Sequence, residues 1–371
     1  MKTKLTLITL FIFTLSACGQ VVTPTSPTTD QTSLPPTTQT KEQPTETSAK
    51  PETLTVMTHD SFAASDEVIQ TFEEEHNVNV RFLEAGDTGT AVNKAVLSKG
   101  NPLADVFYGV DNTFLSRALE EGIFIPYHSP LLDEIDDRFQ LDDQNRALPV
   151  DYGDVCLNYQ KAYFEENDLQ PPRNLEDLTE PEYKGLLTVE NPATSSPGLA
   201  FLLATIGHFG EDQYLEYWQQ LVENDLNVVN DWETAYYSSF SQAGGSTPIV
   251  VSYGSSPPFE VIFAEEEIEE PPTAAVVAEG SCFRQIEFVG ILKGTEKQEL
   301  AQKWIDFMLS PTFQEDIPLN MFVFPVNENA ELNETFQKYL AIPDETAEVS
   351  PQDISENREK WIREWTEAVL R

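Results

Sequence analysis

The chain has 371 residues and a formal net charge of −41. That length is enough for two lobes with real cores. The charge excludes a nucleic-acid partner, because a phosphate backbone would repel it; it is compatible with a cationic ligand, although runs such as Asp133–Asp137 and Glu265–Glu270 fit plain solvated surface. No Cys/His cluster has metal-ligand spacing and there are only four His, so no metal site is expected.

Lys2 and Lys4 precede an apolar run, Leu5 to Leu15, that is too short to span a bilayer comfortably. Residues 1–17 are expected to be a signal peptide. Leu15-Ser16-Ala17-Cys18-Gly19 resembles a bacterial lipobox, which implies lipidation of Cys18 and membrane contact through the acyl chains. The rest of 18–52 is rich in Thr, Ser and Pro and predicts an extended tether. With Cys18 lipidated, Cys156 and Cys282 remain as a candidate disulfide in an oxidising compartment, two buried thiols being the alternative.

Leu54-Thr-Val-Met-Thr58 predicts a strand, with His59, Asp60 and Ser61 in its exit loop. A helix follows from Ser65, an N-cap residue, with Val68, Ile69 and Phe72 on one face. Val78–Phe82 predicts a second strand, and Gly86-Asp-Thr-Gly-Thr90 a polar turn opening a helix. Ala104–Tyr108 predicts a third strand that ends near Asp111. Strands alternating with helices imply a parallel sheet. Later come a crossing strand (Val150–Tyr159), a strand at Leu186–Val189, and helices over Leu199–Phe209 and Tyr214–Val222. Ile249–Val251 predicts a buried strand that delivers Tyr253, Ser255 and Ser256 to its carboxyl end, where open α/β sheets bind ligands. Ala274–Ala278 and Phe283–Leu292 predict further strands, the second returning to the first lobe. Glu296–Leu309 and Ser355–Leu370 predict amphipathic helices in which Trp304, Trp361 and Trp365 are packing residues.

Leu54–Phe62 followed by Ala104–Asn112 resembles the start of the thiamine-binding proteins of bacterial ABC importers. Pro149–Gly153, Asn191–Leu199, Asn230–Tyr236, Val251–Pro257, Phe322–Val326 and Trp361–Trp365 find counterparts in the same order, so the resemblance covers nearly all of 53–371. It implies a two-lobed, type II periplasmic-binding-protein-like α/β fold with lobe 1 at 53–150 and lobe 2 at 151–284. A return to lobe 1 at 285–317 and a C-terminal segment at 318–371, packed on lobe 2, complete it. It implies a lipid-anchored monomer that binds thiamine or its phosphates, without cofactor or catalysis, and delivers them to a membrane permease.

The same resemblance implies a ligand set. Thr194, Ser195 and Ser196 stand where a helix start meets phosphate, which suits the free amides of a helix N-terminus. Trp232 and Tyr253 face the ligand, and Phe259 and Phe322 are further aromatic walls; ring faces suit a flat pyrimidine and a cationic thiazolium. Asp111 pairs with the ligand or caps the helix before Phe114. His59 stands where this family carries a Tyr, and an expected Trp near Ser65 has no counterpart, which leaves a thiamine precursor or another flat cation open. Ferric-binding proteins share the fold and use adjacent Tyr residues, as Tyr236-Tyr237 are, but here that pair precedes the Ile249 strand. An exported hydrolase is the remaining alternative; neither a Gly-x-Ser-x-Gly elbow nor a His-Glu-x-x-His motif occurs.

Overall fold

In the computed structural model, which describes residues 51–371 apart from Glu265, β1 (Glu52–Thr58) is followed by α1 (Asp66–His76), β2 (Val78–Glu84), α2 (Thr88–Leu97) and β3 (Val106–Asp111). The expected signal peptide, Cys18 and the tether to residue 50 lie outside the described residues. β1 pairs in parallel with β2 and β3. Leu54, Val56, Val106, Phe107 and Val110 are wholly buried. A parallel sheet covered on both faces needs such continuous apolar runs rather than alternation. The Ser65 hydroxyl accepts from the Val68 amide, and Asn77 ends α1 in the left-handed conformation.

Short α3 (Leu115–Glu120) and β4 (Phe124–Ile125) lead to the long β5 (Leu148–Gln160). Then come α4 (Lys161–Glu166), β6 (Leu187–Glu190), α5 (Ser196–Phe209), α6 (Tyr214–Glu223), β7 (Asn227–Val229), α7 (Trp232–Thr234), β8 (Ile249–Tyr253), α8 (Ser256–Ile262), β9 (Thr273–Val276) and β10 (Phe283–Leu292). The sheet order is β2-β1-β3-β10-β5-β8-β6-β7. The Leu148–Val155 stretch of β5 lies against β10, and its Val155–Tyr159 stretch against β8. β10 in turn pairs with β3. These two strands therefore run from one half of the sheet into the other, and they are the crossings of a two-lobed α/β fold.

α5 is apolar nearly all round because it is enclosed: it packs on β5, β6, β8 and β10 and beside α6. Cys156, in β5, and Cys282, at the entry to β10, form a disulfide, and both are fully buried. The chain closes with α9 (Gln298–Leu309), α10 (Pro311–Gln314), α11 (Ile317–Met321), β11 (Phe324–Pro325), α12 (Glu334–Tyr339) and α13 (Pro351–Val369). Trp304 packs edge-on against Phe72, and Trp365 against Trp218. α13 also reaches the α3 side, where Arg358 Nη1 donates to the Thr113 carbonyl at 3.2 Å and the guanidinium lies over the Phe114 ring.

Candidate ligand-binding site

The exits of β1 and β8, the starts of α2 and α5, and the turn into β11 surround a cavity of about 230 Å³. Of the expected residues, His59, Asp60, Ser61, Ser196, Trp232, Tyr253 and Phe322 line it. Asp87, Glu233, Tyr237 and Glu287 also line it; sequence reasoning reached Asp87 only as part of the Gly86–Thr90 turn and Tyr237 only as half of the Tyr236-Tyr237 pair, and missed Glu233 and Glu287. The lining holds the carboxylates Asp60, Asp87, Glu233 and Glu287, and neither Lys nor Arg.

The aromatic walls are fixed by neighbours. Trp232 Nε1 donates to Ser252 Oγ at 3.0 Å, and the indole stacks on Tyr236 at 5.2 Å between centroids. Tyr253 donates to Gln285 Oε1 at 2.9 Å. Gly153 permits the Tyr253 ring, since a Cβ there would sit 2.7 Å from it. Phe322 has φ 62°, a left-handed conformation rare for so large a residue, and its carbonyl accepts from the Ser255 hydroxyl. Such strain persists where the surroundings over-determine it.

His59 lies over β3 because Gly109, at φ +99°, leaves room; a Cβ would approach the imidazole to 2.3 Å. Its Nε2 is 3.4 Å from Glu287 Oε1. Burial opposes the imidazolium, but the Glu287 carboxylate outweighs it, with Asp87 and Asp60 adding, and the His59 pKa is raised. Behind this pair the Tyr108 hydroxyl donates to Asp151 Oδ2 at 2.6 Å, with Glu287 Oε2 at 3.1 Å. Burial and the neighbouring Glu287 push the Asp151 carboxyl well up, while burial of Glu287 is overcome by His59, which holds it down. Between the two, the proton is favoured on Asp151 and the charge on Glu287. Burial also pushes Asp87 up to about 7, and enclosure raises Glu233.

Other expected residues stand one layer away. Asp111 is wholly buried and caps the following turn through the Phe114 amide at 3.2 Å, while accepting from Thr113 and Gln285. The Thr194 hydroxyl donates to the Asn230 carbonyl, and Ser195 caps α5 at the Gly198 amide. The Ser256 hydroxyl pairs with Ser252. Tyr236 turns toward Glu260, and Phe259 packs on Phe322 beside a second, aromatic cavity. The adjacent pair Tyr236-Tyr237 thus presents only Tyr237 to the central cavity.

The family described as bacterial extracellular solute-binding protein matches residues 101–345. A thiamine-binding periplasmic protein of Escherichia coli K12 is 32% identical over 327 residues, covering 87% of this chain and 95% of that protein. A solved periplasmic thiamin binding protein superposes with TM-score 0.76 at 29% identity, covering 86% of this chain and 97% of that one. The periplasmic binding protein AfuA of Actinobacillus pleuropneumoniae, solved with fructose-6-phosphate, has TM-score 0.72 at 22% identity, covers 87% of this chain and 99% of that one, and is similar in fold.

Proposed function

The chain belongs to the bacterial extracellular solute-binding protein family, and on that basis we propose that it captures thiamine outside the cell and hands it to an ABC permease. The observation that carries this reading is the central cavity itself. It joins the ring faces of Trp232, Tyr253 and Phe322 to four carboxyl groups, of which Glu287 is paired with His59, and no Lys or Arg lines it. A flat cation satisfies both features: each ring face attracts it by roughly 0.5–2 kcal/mol, and the carboxylates supply the counter-charge. The relatives named for thiamine binding support the choice of ligand.

Capture needs no bond chemistry. β5 and β10 are the strands about which the halves would close, a hinge motion that is common around small ligands. His59 and Asp60 at the exit of β1 would meet Trp232 and Tyr253 from the other half across the solute. The Cys18 lipobox would hold this assembly at the membrane, where the permease lies. Isothermal titration calorimetry with thiamine tests the reading. Submicromolar binding at one site supports it, and the absence of heat up to millimolar thiamine with folded protein contradicts it.

A further inference from the structure

Among the described residues, His59 is the one basic side chain that lines the central cavity. It is 7% exposed, and its Nε2 makes no hydrogen bond. The nearest charge is on β10, Glu287 Oε1 at 3.4 Å. On β3 the Tyr108 ring lies 5.7 Å away between centroids, and its hydroxyl donates to Asp151 of β5 and to Glu287. Before α2, Asp87 stands on the same wall, with Oδ1 accepting from the Ser196 amide at 2.9 Å. Asp60 follows His59 in the chain, while Glu233 and Tyr237 face it from the α7 side and Tyr253 from β8. All of these neighbours are neutral or acidic. A protonated His59 is therefore a cation of the protein's own, held in a cavity that suits a cation.

A cavity of about 230 Å³ leaves a positively charged solute no position remote from the imidazole. The solute and the imidazolium would repel one another and compete for the same carboxylates. A quaternary thiazolium cannot shed its charge. His59 can, because its charge is a proton. The raised pKa of His59 means that this proton is present near neutral pH before the solute arrives.

We infer that capture is an exchange of cations: a positively charged solute entering the cavity drives a proton from His59 to solvent, so that binding tightens as pH rises. An imidazolium N–H bond breaks, its electron pair stays on nitrogen, and the proton passes to the buffer. By linkage, protonation of His59 weakens the solute by the same factor by which the solute weakens the proton. Asp87 and Glu233, also raised, release protons in the same direction, so the share of His59 is read by replacing it. The identity of the cation rests on the functional reading above.

The test is calorimetric titration with thiamine at pH 7 in phosphate and in Tris, whose different heats of ionisation count the protons exchanged. The wild type should release protons, and its affinity should rise by about three- to tenfold from pH 6 to pH 8. His59→Gln and His59→Tyr should each cut the release by about half or more, whatever they do to affinity. The chain has four His, so their ring signals can be followed by NMR. The signal lost in His59→Gln should titrate at clearly lower pH once thiamine is bound. Binding with no proton release, or with proton uptake, overturns this inference alone. So does a release undiminished in both variants, or a His59 titration that thiamine leaves unmoved. No binding of thiamine at any pH in the range overturns the functional reading, and this inference falls with it.

Discussion

His59 and Glu287 meet across the base of the cavity, with Nε2 and Oε1 3.4 Å apart, although one leaves β1 and the other lies in the last crossing strand. The pair ties the wall of one half to the strand that joins the halves. Its charge state, and that of the carboxylates around it, governs how the protein responds to pH.

The folded protein holds extra protons. His59 is raised chiefly by Glu287 against the cost of burial, Asp87, Asp111 and Glu260 are pushed up to about 7, and burial raises Asp151 and Glu190 well above the ordinary carboxyl range. A group whose folded pKa lies above its unfolded value contributes stability below the unfolded value and loses it as pH rises through the folded one. For the carboxyls that loss begins near pH 4, and for His59 near 6.5. Glu287 and Asp142 are held low and act oppositely, below about pH 4.5. The thermal midpoint should therefore be highest near pH 5 and clearly lower at pH 8. A midpoint that climbs steadily from pH 5 to 8 in scanning calorimetry would contradict this charge arrangement.

Gly109→Ala should cost about 1–3 kcal/mol, because φ +99° disfavours a side chain and the new Cβ collides with the His59 ring. The same change should weaken ligand binding, since His59 must move. Urea unfolding and a thiamine titration read the two effects, and a variant as stable as wild type would show that the His59 placement is wrong.

Trp232→Ala should weaken thiamine binding by about tenfold, from the loss of roughly 1–2 kcal/mol of ring and cation attraction. Trp365→Ala, which opens a hole beside Trp218, neither of them lining the cavity, should cost about 3–5 kcal/mol of stability and leave affinity unchanged while the protein is folded. An affinity loss from Trp365→Ala as large as that from Trp232→Ala would undo the division between wall and core.

Much of this arrangement is legible in the sequence, for identifiable reasons. The run Ile249 to Val251 announces a buried strand, and Ser65 announces a helix start, because both signals are local. His59, Trp232 and Tyr253 arrive at one cavity because strand exits and an ordered set of motifs place them. Glu287 is invisible beforehand, since only the antiparallel register of β10 against β3 and β5 brings it to His59. Its one trace is the pair Gln285 and Glu287, buried polar residues at alternate positions in a strand that is apolar from Phe288 onward. Asp87 looks like an ordinary N-cap, and its turn toward Ser196 depends on the approach of two helices distant in sequence. The left-handed Phe322 carries no signal at all, since no glycine or asparagine marks it.

The disulfide has its own consequence. Cys156 and Cys282 are 126 residues apart in the chain, so their bond constrains a long loop of the unfolded state. Replacing both with Ser should lower stability by about 2–5 kcal/mol. Equal denaturation midpoints for oxidised wild type and the double variant would contradict a structural role for the bond.

A crystal structure of the thiamine complex tests the central claim most directly. The account predicts one thiamine in the central cavity, its rings against Trp232, Tyr253 and Phe322 and its positive charge beside the carboxylates. Thiamine bound in the neighbouring aromatic cavity by Glu260 instead, or an empty central cavity at saturating thiamine, would contradict it.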